Sequence, residues 1–326
     1  MENIENYVKN SLIINTFNHI YDECYGIVDI IPLKGIMLLM TLYKDDIGHR
    51  EISDIDFLID RKDLPVVMEK LDNQGFVVDK KMYVKGKNLH RRKFSFYHRR
   101  GDKCDIDLHT SLITKRFIRN TFGKFEEDAL KSTKKITYEN REIIILDDIY
   151  NWMFLAYHGT MHIFHNKKWL DDLYYLQKGF DNNTISQLID NVRKYHFDRI
   201  YNFAVTRMLR NYEQWSVKLP LLEIQGNHRF FDVFVSPGFD RGKINKQIYQ
   251  LMLAYLEFSM ISNGKARTRE YFRLLFPSLD ILQHTYKGVN NRFLLTLMYP
   301  INLAVVATTS VLYSFIMFGY SLRRRK

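Results

Sequence analysis

The period of apolar and polar positions changes several times along the chain, and each change predicts an element. Between residues 4 and 22, Ile4, Val8, Leu12, Phe17 and Ile20 recur at approximately helical spacing. This predicts an amphipathic helix covering the domain behind it. Ile27 to Leu33 then reads as a short buried strand, ending at Lys34-Gly35, and Ile36 to Met40 as a helical run. Asp45 to Arg50 is a polar loop before Glu51 to Asp60, whose apolar residues around Asp56 predict a second strand. Asp63 is placed to cap a helix running to about Asn73, with Gly75 in the usual terminating position.

Beyond Gly75 the period shortens. Phe76-Val77-Val78, Phe94 to Tyr97 and Cys104 to His109 read as successive strands, the last two joined by a tight turn at Arg100-Gly101-Asp102. After a basic connection around Lys131 to Lys135 the pattern is helical to the end. One helix is capped by Asp147 or Asp148 and runs through Trp152, Phe154 and Tyr157, and further helices occupy 183–213 and 244–261. The aromatic stripes of these helices are the spacing of core positions. The chain is therefore of the α+β class.

Composition narrows the picture. With 326 residues, 46% of them apolar, the chain can bury a proper core and is not a disordered protein. Only Cys24 and Cys104 are present and they form no Cys-x-x-Cys, which argues against structural zinc and a disulfide framework. The opening Met-Glu-Asn-Ile-Glu-Asn is acidic and polar where a signal peptide is basic and then apolar, so a cytoplasmic location is expected. A net charge of +11 favours an anionic partner: nucleotide phosphates, RNA or an acidic membrane surface. From Phe293 to Leu322 there is no charged residue, and Arg323-Arg324-Arg325-Lys326 closes the run. That suits a membrane span with a positive cytoplasmic flank, or contact of 293–326 with the inner face of the membrane. Pro300, Asn302 and Thr308-Thr309-Ser310 suit a kinked helix pair packed on the rest of the protein equally well.

The candidate chemistry starts at Asp54 and Asp56. On a strand they point the same way, one repeat apart, and two carboxylates that close repel unless one takes a proton or a hard divalent cation bridges them. Magnesium is the cation this predicts. The bland alternative is an exposed loop or edge strand kept soluble by charge. Lys34-Gly35, between a strand and a helix, offers backbone N–H groups and a full positive charge to an anion, or is a simple turn with a surface lysine. Arg50 pairs with the carboxylates or reaches a phosphate. Asp105 and Asp107 form a second alternating pair, and a third carboxylate beside Asp54 and Asp56 would suffice for two metal ions in phosphoryl or nucleotidyl transfer. His158 and His162 have metal-ligand spacing, but without the glutamate of a zinc protease, so packing and hydrogen bonding are the competing role. Lys265, Arg267, Arg269 and Arg273 either guide an anionic substrate or line a solvated helix face.

Leu33-Lys34-Gly35, Arg50, Ser53 to Ile59 and Asp105 to His109 together resemble the bacterial "nucleotidyltransferase family protein" group, a branch of the DNA polymerase β-like nucleotidyltransferase superfamily. The resemblance covers about residues 28 to 112. It implies Gly35 at the triphosphate, Asp54 and Asp56 as ligands of two Mg2+ ions, with Mn2+ as a substitute, and Asp107 as the third carboxylate. It departs from the superfamily at the turn, where Lys34-Gly35-Ile36 stands in place of Gly-Ser or Gly-Gly, and in the longer stretch from Gly35 to Asp54. The succession His158, His162, Trp169, Asp171-Asp172-Leu173 is similar to the helical half of the same family, which implies His158 and Asp172 beside the nucleotide.

The expectation is a nucleotidyltransferase domain with a mixed sheet over 1–135 and a helical domain over 136–326. Its implied reaction moves a nucleoside monophosphate, AMP by default, from an NTP to a hydroxyl of an acceptor and releases pyrophosphate. Asp54, Asp56 and Asp107 are the catalytic set, and Lys34, Gly35 and Arg50 steady the nucleotide. One rival is an Asp-x-Asp glycosyltransferase, although such folds place on the order of 100 residues of nucleotide-binding domain ahead of the motif. Only about fifty precede it here. The other rival is a non-catalytic module of this fold that docks on membrane or RNA.

Overall fold

A computed structural model describes residues 2–78, 93–101, 104–114, 116–223 and 260–261, with scattered positions between 264 and 308. Residues 244–259, Arg267, Arg273 and most of the 293–326 run lie outside the described residues. The chain divides into two compact units: Met1–Thr114 with Gly123–Leu155 and Asp171–Phe180, and Lys115–Phe122 with Ala156–Leu170 and Asp181–Lys326.

The first unit opens with α1 (Glu2–Cys24). Its buried stripe is Ile13, Phe17, Ile20 and Cys24, at steps of four, three and four, while Ile4, Val8 and Leu12 are exposed. The apolar face of the helix is therefore set one step round from the one the spacing predicted, and begins only at its middle. β1 (Ile31–Leu33), α2 (Lys34–Met40) and β2 (Asp54–Leu58) follow. A short 3-10 turn at Arg61–Asp63 leads into α3 (Leu64–Asn73). Asp63 makes no side-chain cap there; Asp60 instead accepts from the Lys62 backbone N–H. Gly75, with φ +88, reverses the chain into β3 (Phe76–Val78), as the pattern predicted.

β4 (Lys93–His98) and β5 (Asp105–His109) complete a five-stranded sheet in the order β1-β2-β5-β4-β3. Only β2 and β5 run parallel, and the other pairs are antiparallel, so the sheet is mixed. Register decides what each face carries. Ile55 pairs with Ile106 and Phe57 with Leu108, and Phe94 and Phe96 lie opposite the same two β5 residues. All six are buried and form the apolar face. Alternation then places Asp54, Asp56, Asp107, His109, Lys93 and Ser95 together on the other face.

The stretch expected to be a connection and helix contains a hairpin instead. After α4 (Arg116–Lys131), β6 (Thr133–Tyr138) pairs antiparallel with β7 (Arg141–Leu146). The two-residue turn Glu139-Asn140 has positive φ at both positions (46° and 64°), the geometry that matches strand twist in a tight hairpin. α5 (Asp148–Met161) and α6 (Lys167–Lys178) come next. In the second unit, α7 (Asn182–Lys194) is capped by Asp181, which accepts from the Thr184 N–H at 2.7 Å, and α8 (Asp198–Asn211) buries Ile200, Tyr201, Phe203 and Met208. These two occupy the predicted helical stretch 183–213. Among the described residues no helix is long and apolar enough to cross a membrane.

Candidate active site

Asp54 opens β2 and Asp56 follows two residues later, so both carboxylates leave the strand on one side. Asp107 lies directly across from Asp56 on the parallel neighbour β5. One oxygen from each of Asp54, Asp56 and Asp107 falls within 4.8 Å of the others. Asp105, paired with Asp54, is exposed and outside this group. Asp107 is thus the member of the second acidic pair that joins the first.

The cluster is braced by neighbours that the strand register delivers. Lys34 Nζ lies 2.5 Å from Asp56 Oδ1, and His109 Nε2 lies 2.9 Å from the same oxygen. Ser95, opposite Asp107 on β4, donates its hydroxyl to Asp107 Oδ1 at 2.6 Å, while Lys93 forms an ion pair with Oδ2. Ser53 donates to Asp54 at 2.9 Å. Lys34 is not the surface lysine of a simple turn. It is 9% exposed and adopts φ 51°, a left-handed conformation uncommon in residues other than glycine.

Burial and charge act on each carboxylate differently. Burial, and then the nearby Asp56 carboxylate, push the Asp54 pKa above the ordinary aspartate value. For Asp56 burial is again the largest influence and opposes ionisation, but Lys34 and His109 outweigh it and hold the pKa well below the usual range. Burial lowers the His109 pKa against the pull of Asp56, and because an ionised carboxylate can only accept, Nε2–H is the donor of this bond. Burial works against the charge of Lys93, and Asp107 overcomes it, leaving the ammonium pKa raised. Three carboxylate oxygens with no nitrogen or sulfur among them are a donor set for a hard divalent cation, which would offset both the burial and the neighbouring Asp56 charge that raise the Asp54 pKa.

Arg50 is 6% exposed and forks onto Asp172, Nε to Oδ1 and Nη2 to Oδ2, both at 2.7 Å. Tyr43 donates its hydroxyl to Asp172 at 3.1 Å, and burial followed by the Asp172 charge drives the Tyr43 pKa far upward. Arg50 and Asp172 are thus each other's hydrogen-bond partners, and the Asp54 charge also acts on the guanidinium. Asn10 pins the same loop by donating to the backbone oxygens of Ile47 and Arg50 at 2.5 and 2.7 Å. At Gly35 a Cβ would sit 2.6 Å from Ile52 Cγ2 and 2.8 Å from Arg50 Nη1, so glycine is required by the close approach of that loop.

His158 belongs to the second unit, with its ring 4.8 Å from that of His162 and 5.3 Å from that of Trp169. His162 and His165 lie beyond the end of α5 at Met161. The chain turns there through Ile163 and Phe164, both at positive φ. Lys93, Ser95 and His109 were not singled out in the sequence. His109 carries a legible signal, since it stands two residues after Asp107 and so shares its face, but Lys93 and Ser95 require the β4–β5 register.

Clustered carboxylates on adjacent strands of a mixed sheet are the equipment of metal-assisted phosphoryl and nucleotidyl transfer. Residues 4–210 match the family described as uncharacterised nucleotidyltransferase, and the chain belongs to that family. It is an enzyme of the nucleotidyltransferase class, and an NTP is the substrate that class implies. No curated protein matches it. Among solved structures, the antibiotic-resistance factor ANT(2'')-Ia is 9% identical, with a TM-score of 0.42, over 57% of this chain and 94% of that one. A tRNA-processing enzyme in an apo form is 12% identical, with a TM-score of 0.27, over 89% of this chain and 88% of that one. At those scores neither likeness bears on the reaction.

Proposed function

We propose that this enzyme moves a nucleoside monophosphate, AMP from ATP, onto a hydroxyl of its acceptor. The acceptor oxygen bonds the α-phosphorus as the bond to the β-phosphate oxygen breaks, and pyrophosphate leaves. The observation that carries this reading is the close grouping of Asp54, Asp56 and Asp107 on one sheet face in a chain of this family. These three residues would hold the divalent cation, two Mg2+ ions in the full reading. When bound, such ions supply positive charge to the developing oxyanion and lower the pKa of the attacking hydroxyl.

The chain's own groups do the rest. Asp56, kept ionised by Lys34 and His109, is a permanent anion. Asp107, steadied by Ser95, takes up the acceptor proton, and Lys34 with the backbone at Gly35 steadies the phosphates. Arg50 and Asp172 support the phosphate side by fixing the loop that lies over Gly35. Residues 1–135 form the nucleotidyltransferase domain in this reading, with the rest of the β6–β7 hairpin belonging to the same compact unit, and helices make up the described part of the chain after it. The proposal places the enzyme in the cytoplasm, with 293–326 resting on the inner face of the membrane, supported by the uncharged run and its basic terminus.

The test is calorimetric titration of a non-hydrolysable ATP analogue in Mg2+ and in EDTA. Binding that needs Mg2+ and disappears in Asp54→Ala/Asp56→Ala is the expected result. Binding of equal strength in EDTA, or in that variant, overturns the reading.

A further inference from the structure

The acidic cluster is closed on two sides by ammonium groups. Lys34, from the start of α2, meets Asp56 from within the protein: its side chain is 11% exposed and that of Asp56 5%. Lys93, from β4, meets Asp107 from the solvent side, with side chains 36% and 13% exposed. An oxygen that faces an ammonium at hydrogen-bond distance cannot offer the same lone pair to a divalent cation, and the two cations repel each other. With both lysines in place, the five charged groups carry one formal negative charge, a poor match for a dication alone. A nucleoside triphosphate is a polyanion. It supplies the missing negative charge and gives a displaced ammonium a new partner.

We propose that Lys34 and Lys93 are resident counter-cations of the triad and that Lys93 moves from Asp107 to the triphosphate, so that divalent cation and nucleotide enter the site as a coupled pair. The inference rests on the reading of this site as one for a metal ion and an NTP. Linkage makes the coupling reciprocal: if nucleotide tightens cation binding, the cation tightens nucleotide binding by the same factor. Lys93 is the residue with freedom to move. Its side chain is the more exposed of the two, at the end of a four-carbon stem, whereas Lys34 is confined and also shares its carboxylate oxygen with His109.

The experiment is a titration of the full chain with Mn2+, followed by the electron paramagnetic resonance signal of the free ion, with and without a non-hydrolysable ATP analogue, and corrected for the Mn2+ that the analogue binds in the absence of protein. The wild type is expected to bind Mn2+ weakly alone and at least about tenfold more tightly with the analogue. Lys93→Met is expected to bind Mn2+ alone about tenfold more tightly than the wild type and to lose most of the gain from nucleotide. Lys93→Arg should keep the wild-type pattern. If the methionine variant loses its near-UV circular dichroism, Lys93→Gln is read in its place. Mn2+ binding by the neutral variants no tighter than wild type, with the nucleotide gain intact, overturns the counter-cation role and leaves the triad reading standing. Mn2+ binding unchanged by Asp54→Asn/Asp56→Asn overturns the triad reading, and the counter-cation role with it.

Discussion

Asp56 depends on two donors, and the imidazole is the one whose removal can be read cleanly. His109 is 3% exposed and is bonded through Nε2 to Asp56 Oδ1. His109→Phe keeps a ring in the space while deleting the donor, leaving a buried carboxylate with Lys34 as its one remaining bracing group. We expect a loss of about 1–3 kcal/mol in urea unfolding, the range for an unsatisfied buried acceptor, and a fall in turnover. His109→Gln, which can still donate, should recover much of both. A phenylalanine variant as stable and active as wild type would show that the bond to Asp56 does nothing. Which residues could be found in advance follows from the same geometry. Asp54, Asp56 and Asp107 are legible because alternation along one strand is written in the sequence. Lys93 and Ser95 are not, because their nearness to Asp107 comes from pairing between strands, and register is not encoded at any single position.

At the scale of elements, the strands of the sheet were legible and the β6–β7 hairpin was not. Ile143, Ile144, Ile145 and Leu146 form an unbroken apolar run that does not by itself separate strand from buried helix. β6 adds little, since Lys134, Lys135 and Thr137 interrupt its pattern. The turn also hides itself, because Glu139 occupies a positive-φ position that turn statistics assign to glycine or asparagine. Once formed, the hairpin is tied to α1 through Arg141, which forks onto Asp22 with two 2.7 Å bonds, and through Tyr21, whose hydroxyl donates to the Glu142 carbonyl. The Arg141 bond holds the Asp22 pKa below the ordinary aspartate value. A depressed folded-state pKa contributes stability above the unfolded value, and that contribution is lost as pH falls through the folded one. The pair is half-exposed, so Asp22→Asn is expected to cost no more than about 1 kcal/mol at neutral pH. Below the folded pKa of Asp22 the variant and the wild type should unfold alike. A cost that persists unchanged into acid would mean that the carboxylate charge is not its source.

Across the whole molecule, the first unit is assembled from segments far apart in the chain, and Arg50 and Asp172, separated by 122 positions, are its most deeply buried ion pair among the described residues. Sequence reading found both residues but set each beside the nucleotide, because periodicity reports which face a residue takes and not which distant residue it meets. The paired geometry makes a different expectation for how they act. Removing one partner leaves an uncompensated buried charge, and Arg50→Ala is expected to lower stability by about 3–5 kcal/mol. Replacing both, as Arg50→Met with Asp172→Leu, should restore much of that loss, because buried pairs exchanged for apolar groups of similar volume are often neutral. Tyr43 complicates the double variant, since its hydroxyl then loses Asp172, and adding Tyr43→Phe removes that orphan. The distinguishing measurement is calorimetric binding of the ATP analogue to the stable double variant. If Arg50 and Asp172 act by holding the loop over Gly35, nucleotide affinity should follow the recovered stability. If Arg50 touches a phosphate directly, affinity should stay low however stable the protein becomes.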